Sequence, residues 1–187
     1  FYLEALFFIM KGKILLATPK LLNDFVFYKS IILIVDETED GLTGFILNRI
    51  TSLHIAKKGN SNNSNIDLYF GGPVSNNHFY ILKSEKKHSR SIKINKNTYW
   101  GNNVELIIEE IEDGRFNKDD VCFFQGYSGW DINQLDNEID KNYWIILDSE
   151  NEEILNLNKK NSWQKLLKKL DNSYLIWSNS PDDITLN

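Results

Sequence analysis

The chain has 187 residues, of which 42% are hydrophobic, 25% charged and 13% aromatic. That length accommodates one domain burying roughly 70% of the surface exposed by its unfolded chain. The composition excludes global disorder and points to ring-rich packing. A formal charge of −5 disfavours a polyanion such as nucleic acid as partner.

Phe1 to Ile9 is apolar except for Glu4, too short to span a bilayer and without the basic start of a secretory signal. Residues 1–10 read as a leader or extension, with Met10-Lys11-Gly12 resembling a translation start, and residues 11–187 read as a single domain. Short apolar runs bounded by turn residues predict strands at 13–18, 31–36, 44–49, 66–70, 78–83, 91–95 and 121–125. Asp40-Gly41 predicts a hairpin, and the polar run 56–65 a surface loop.

Asn102 or Asn103 caps a helix carrying Val104, Ile107, Ile108 and Ile111 on one stripe, with Glu105, Glu109, Glu110 and Glu112 elsewhere, ending at Gly114. Between 125 and 131 two glycines and two aromatics predict a tight bend. Asp131 then caps a second helix, Gln134 returns the bond, and Leu135 and Ile139 face inward. A strand at 143–147 follows. The last helix starts after Ser162, with Trp163, Leu166, Leu167 and Leu170 inward and Lys165, Lys168 and Lys169 in water, before a strand at 174–177. Helices grouped among short strands give an α+β fold with a mixed, mainly antiparallel sheet.

The glycine–aromatic segment is the first candidate for recognition. Tyr127 and Trp130 would wall an apolar pocket and Gln134 would supply an orienting amide, which suits a small neutral or planar ligand. Asn48, beside Arg49 at a strand end, and Gly72, in Gly71-Gly72-Pro73, are further ligand-binding candidates.

Catalytic signals are absent. Gly126-Tyr127-Ser128-Gly129 is one residue short of a hydrolase elbow. His54, His78, His88 and the single Cys122 lack the spacing of a metal site, and no cofactor fingerprint occurs. Cys122 lies in an apolar run and reads as a buried thiol, which fits a reducing, cytoplasmic setting. Lys83, Lys86, Lys87, His88 and Arg90 read as a solvated face.

Lys11-Gly12, Leu15-Leu16-Ala17-Thr18-Pro19, Asp24, Phe27, Ser30 to Leu33, Gly41 and Gly44-Phe45-Ile46-Leu47-Asn48-Arg49 resemble the opening of the YqgE/AlgH family. Gly71-Gly72-Pro73-Val74, Gly126 to Trp130, Gln134-Leu135 and Glu138 continue the pattern in order, so the resemblance spans about Lys11 to Trp177. It implies a small barrel-like sheet surrounded by about three helices, a bacterial cytoplasmic protein, and the label of transcriptional regulator, with no catalytic set attached. Three positions depart from the pattern: Lys29 for Arg, Glu37 for His, and Ile50 for the Pro after Asn-Arg. Arg to Lys loses a planar fork of donors.

The expected function is that of a cytoplasmic binding or regulatory protein with an unidentified small-molecule or protein partner, a monomer or weak homodimer without a membrane. One rival is an enzyme joining Asp24, Lys29, Asn48 or Asp131 in one cleft; another is a direct DNA binder.

Overall fold

Residues 9–21, 23–55, 66–159, 161–170 and 174 are described by the computed structural model. Its elements are β1 (Lys13–Ala17), β2 (Ile31–Thr38), β3 (Gly41–Ile46), β4 (Ile50–Ile55), β5 (Ile66–Phe70), β6 (Val74–Lys83), β7 (Ile92–Lys93), β8 (Thr98–Gly101), α1 (Val104–Glu112), β9 (Val121–Trp130), α2 (Ile132–Asp140), β10 (Trp144–Asp148) and α3 (Ser162–Leu170). The strands form one curled sheet in the order β10-β1-β2-β3-β9-β6-β8-β7, with β5 joined to β9 and β4 to β5. Only β5 and β9 run parallel among the described pairs, and the sheet forms a half-barrel, so the α+β expectation holds.

Continuous apolar runs rather than alternation mark β1 and β2 because both faces of this part of the sheet are covered. Ile14, Leu16, Ile31, Leu33 and Val35 pack toward Trp163, Leu166 and Leu167 of α3. Leu15, Ala17, Ile32 and Ile34 pack on the opposite face with Trp130, Leu135 and Trp144. A third cluster joins Val104 and Ile107 of α1 to Leu68, Tyr80, Leu82, Val121 and Phe123.

The hairpin forms where Asp40-Gly41 places it, with Thr38 opposite Gly41. Strand ends differ from expectation: β3 is Gly41–Ile46 and β6 begins at Val74, while β4 and β8 were not expected at all. The runs Ile50-Thr51-Ser52-Leu53-His54-Ile55 and Thr98-Tyr99-Trp100-Gly101 are too short and polar to stand out without their neighbours. Segment 56–65 lies outside the described residues, as do residues 1–8 of the expected leader and all of the expected strand at 174–177 except Tyr174. Ile9 is exposed and Met10 buried, its backbone N–H donating to Glu37 Oε2 at 2.9 Å.

The tight bend expected at 125–131 is instead the second half of β9. This strand pairs with β6 along one side; along the other it pairs first with β5, at Phe123 to Gln125, and then with β3, at Ser128 to Trp130. Gly126, with φ of 70°, kinks the strand where the partner changes. Gly71 and Gly72 cross beside it so closely that a Cβ on Gly72 would sit 2.3 Å from the carbonyl of Tyr127. The glycines therefore serve backbone-on-backbone contact.

Asn103 caps α1, its Oδ1 accepting from Leu106 N. Asp131 makes no side-chain cap bond on α2, and Gln134 Nε2 reaches forward to Glu138 Oε1 instead of back to the cap. Three burial expectations also reverse. Leu170 is exposed, while Glu110 and His88 are buried. His88 Nε2 lies 2.9 Å from Glu110 Oε2 and its Nδ1 lies 2.7 Å from Ser91 Oγ, while Arg115 donates to Glu110 Oε1. A buried carboxylate keeps these partners because burying it unpaired is costly.

Candidate functional site

The residues that carry the family pattern are scattered through the sequence, yet many of them converge on the irregular segment 24–30 between β1 and β2. Asp24 Oδ1 accepts from the backbone N–H of Val26 at 2.9 Å and of Phe27 at 2.8 Å, a local turn that Asp side chains favour. Arg49, leaving β3, donates to Val26 O at 2.6 Å, Tyr28 O at 3.2 Å and Phe25 O at 3.4 Å. Asn48 Nδ2 donates to Lys29 O at 2.8 Å, and its Oδ1 accepts from Ile31 N at 2.9 Å. Ser30 donates through N and Oγ to Phe27 O. Every carbonyl from Phe25 to Lys29 thus has a donor although the segment is neither helix nor strand, which meets the demand that backbone polar groups be paired.

Its underside is aromatic. Phe27 lies 5.9 Å from Trp130 and 5.7 Å, edge-on, from Trp144, and the two indoles meet edge-on at 6.1 Å. Both indole N–H groups donate to one oxygen, Glu138 Oε2, Trp130 at 3.0 Å and Trp144 at 2.7 Å. Lys29 takes φ of 52°, is buried, and holds Nζ 5.2 Å from the Tyr28 ring and 5.4 Å from the Trp163 ring. Burial pulls the Arg49 guanidinium below its ordinary pKa, and the nearby Asp24 carboxylate opposes that shift. Against this bracing, Phe25 stands 80% exposed on the segment.

The five residues expected to bind ligand therefore fall into two groups. Asn48, Trp130 and Gln134 belong to the support of segment 24–30, with Trp130 almost fully buried and Gln134 bonded to Glu138. Tyr127 and Gly72 lie apart from them: Tyr127 packs edge-on against Phe79 at 5.9 Å, and Gly72 abuts the β9 backbone. Ser128 is fully buried and donates to Gly71 O. Of the residues offered as an enzyme cleft, Asp24 and Asn48 spend their side chains on backbone groups and Asp131 is exposed beyond the end of β9. Sequence reasoning passed over Phe25. An exposed aromatic carries no periodic signal, and only the mutual positions of Asp24, Asn48 and Arg49 reveal that the chain around it is held.

Two clefts lie elsewhere. One of about 610 Å³ is lined by Tyr69, Cys122, Phe123, Ile111, Leu155 and Asn158 among others; a second of about 500 Å³ is rimmed by Asp119, Asp120, Glu150 and Glu153. Asn158 Nδ2 donates to Cys122 Sγ at 3.4 Å, but burial dominates and pushes the thiol up from 9.0 to about 11. At pH 8 the native thiolate fraction is therefore about 100-fold below that of an unperturbed thiol. Iodoacetamide labelling of Cys122 is expected to be slow in native protein and fast in urea; equal rates would contradict the buried placement. Among the described residues no His, Cys, Asp and Glu group is arranged to hold a metal ion, and no helix is long and apolar enough to cross a membrane.

A curled half-barrel flanked by three helices, with its motif residues bracing one connection, defines the class of fold. Residues 14–175 match the family described as AlgH-like, and the chain belongs to that family. A UPF0301 protein of Cytophaga hutchinsonii is 34% identical over 187 residues, covering 95% of this chain and 98% of the relative. UPF0301 protein BF2109 of Bacteroides fragilis is 35% identical over 179 residues, covering 95% of this chain and 91% of the relative. The solution structure of the AlgH protein from Pseudomonas aeruginosa matches with a TM-score of 0.71 at 20% identity, covering 93% of this chain and 96% of that one. The crystal structure of protein DIP2367 from Corynebacterium diphtheriae gives a TM-score of 0.70 at 17% identity, covering 92% and 93%.

Proposed function

We propose that this chain is a non-enzymatic, cytoplasmic binding or regulatory protein that acts by presenting segment 24–30, with the exposed Phe25 on it, to a protein partner. The observation that carries this reading is the contrast between a segment whose carbonyls from Phe25 to Lys29 are all bonded and an 80% exposed aromatic on it. Burying a Phe side chain is worth about 1.5–3 kcal/mol, and a pre-ordered segment loses little further freedom on docking. Rigid aromatic anchors of this kind dominate many protein interfaces. Trp130, Gln134 and Asn48 then contribute to recognition indirectly, through the shape of the segment. Direct DNA binding is disfavoured by the charge of −5, and the enzyme reading by the engagement of Asp24 and Asn48 with backbone.

The test is a photo-crosslinking side chain placed at position 25, and in parallel at the exposed Ile92, in cells that make the protein natively. A discrete adduct at 25 that is absent at 92 and lost on competition with unlabelled wild type, but not with Phe25→Ala, is expected. Adducts that are absent, or identical at both positions, would sink the reading. Phe25→Ala itself is expected to leave stability within about 0.5 kcal/mol of wild type, since an exposed ring removes no core contact.

A further inference from the structure

Strand β4 ends the branch of sheet that leaves β9 through β5, and among the described residues it pairs only with β5. Phe70 N donates to Arg49 O at 2.8 Å while Ile50 stands opposite Tyr69. In an antiparallel ladder that bond makes Ile50 and Tyr69 a non-hydrogen-bonded pair, so the N–H and C=O of Ile50 point away from β5, toward the outer edge. The strand then bulges: Thr51 to Leu53 stand opposite Leu68 alone, and Thr51 Oγ1 donates to Leu68 O at 2.7 Å. Ile50 is 58% and Leu53 52% exposed.

Edges of this kind are ordinarily guarded by lysine, proline, inward-pointing charge or a bulge. Ile50-Thr51-Ser52-Leu53-His54-Ile55 has the bulge but no lysine, proline or inward-pointing charge, so Ile50, ahead of the bulge, keeps its outward groups. The strand's only titratable side chain, His54, lies 3.5 Å from Asp67 on β5.

We propose that β4 is a self-association edge, on which a second copy of this chain pairs antiparallel about a two-fold axis. The occupant follows from the charge pattern. A copy of this chain carries a net charge of −5, which opposes contact through acidic faces, whereas the β4 strip is uncharged and meets its own copy without a like-charge clash. An isologous strand pair also gives each outward N–H of Ile50 an equivalent acceptor on the other copy. The bulge interrupts the edge, so the pairing is short and the dimer concentration-dependent. This inference does not rest on the Phe25 reading, because the two surfaces use different atoms.

Sedimentation velocity from low-micromolar to near-millimolar protein tests it, with Ile50→Pro and Leu53→Lys as edge variants and Phe25→Ala as control. Ile50→Pro removes a donor that serves no β5 bond, and across the two-fold axis it removes two. The dimer constant is expected to weaken about 30-fold, with circular dichroism and melting retained. Leu53→Lys, on an exposed side chain, places like charges together and weakens the dimer even if the proline variant fails to fold. Phe25→Ala leaves the dimer intact. A wild type that is monomeric throughout, a dimer untouched by the edge variants, or a dimer abolished by Phe25→Ala overturns the proposal.

Discussion

Glu138→Ala is expected to destabilise the fold by about 3 kcal/mol, because it strands two indole N–H groups in the core at once. Trp130 and Trp144 are each 4% exposed, and both donate to the same carboxylate oxygen. With that oxygen gone, neither N–H has another described acceptor. For a chain of this length the loss corresponds to a fall of about 6–12 °C in the melting midpoint. Glu138→Gln separates this account from a general effect of altering α2. Its one amide oxygen can take the place of Oε2 and accept from both indoles, so a cost below about 1.5 kcal/mol is expected, reflecting the lost charge. Thermal melts followed by tryptophan fluorescence decide the matter: if the two variants melt together, the shared oxygen is not what holds the indoles.

Gly72→Ala is expected to cost about 4 kcal/mol, since it combines overpacking with an unfavourable backbone conformation. Gly72 has φ of 152°, and the added Cβ would lie 2.3 Å from Tyr127 C and O and 2.4 Å from Ser128 N. These are backbone atoms of a strand paired on both sides, so they cannot swing aside as a side-chain tip would. Gly114→Ala is the matched comparison. That glycine also has positive φ, at 73°, but its Cβ would meet nothing within 4 Å, so only the conformational cost of about 1 kcal/mol applies. Urea titration of both variants gives the difference. Equal midpoints would show that the crossing of Gly72 over β9 is looser than the geometry described.

Elements with local signals were legible in the sequence. The buried runs of β1 and β2, the Asp40-Gly41 hairpin and the stripes of α1 and α3 follow from periodicity and turn chemistry in adjacent residues. What escaped depends on residues far apart. Glycines in Gly126-Tyr127-Ser128-Gly129 read as a bend because glycine permits one; the actual use of Gly126 is to let β9 pass Gly71 and Gly72, 50 or more residues earlier in the chain. Glu110 looked solvated on its helix wheel, and only His88 and Arg115, brought in from outside that wheel, make its burial tolerable. At the candidate site the pattern was similar. Asn48, Trp130 and Gln134 were singled out as binding groups; the structure shows the bonds they make in the support of segment 24–30, and the exposed Phe25 on that segment carried no signal of its own.

The position of β9 in the sheet bears on how the chain is made. Its three partners, β3, β5 and β6, are all synthesised earlier, and none of them closes the half-barrel without it. Until Trp130 has cleared the ribosome, the nascent chain carries β-prone segments whose hydrogen-bonding edges have no native acceptor, and contacts of such long separation form slowly. Interruption of translation before that point leaves a fragment prone to aggregate rather than a smaller folded unit.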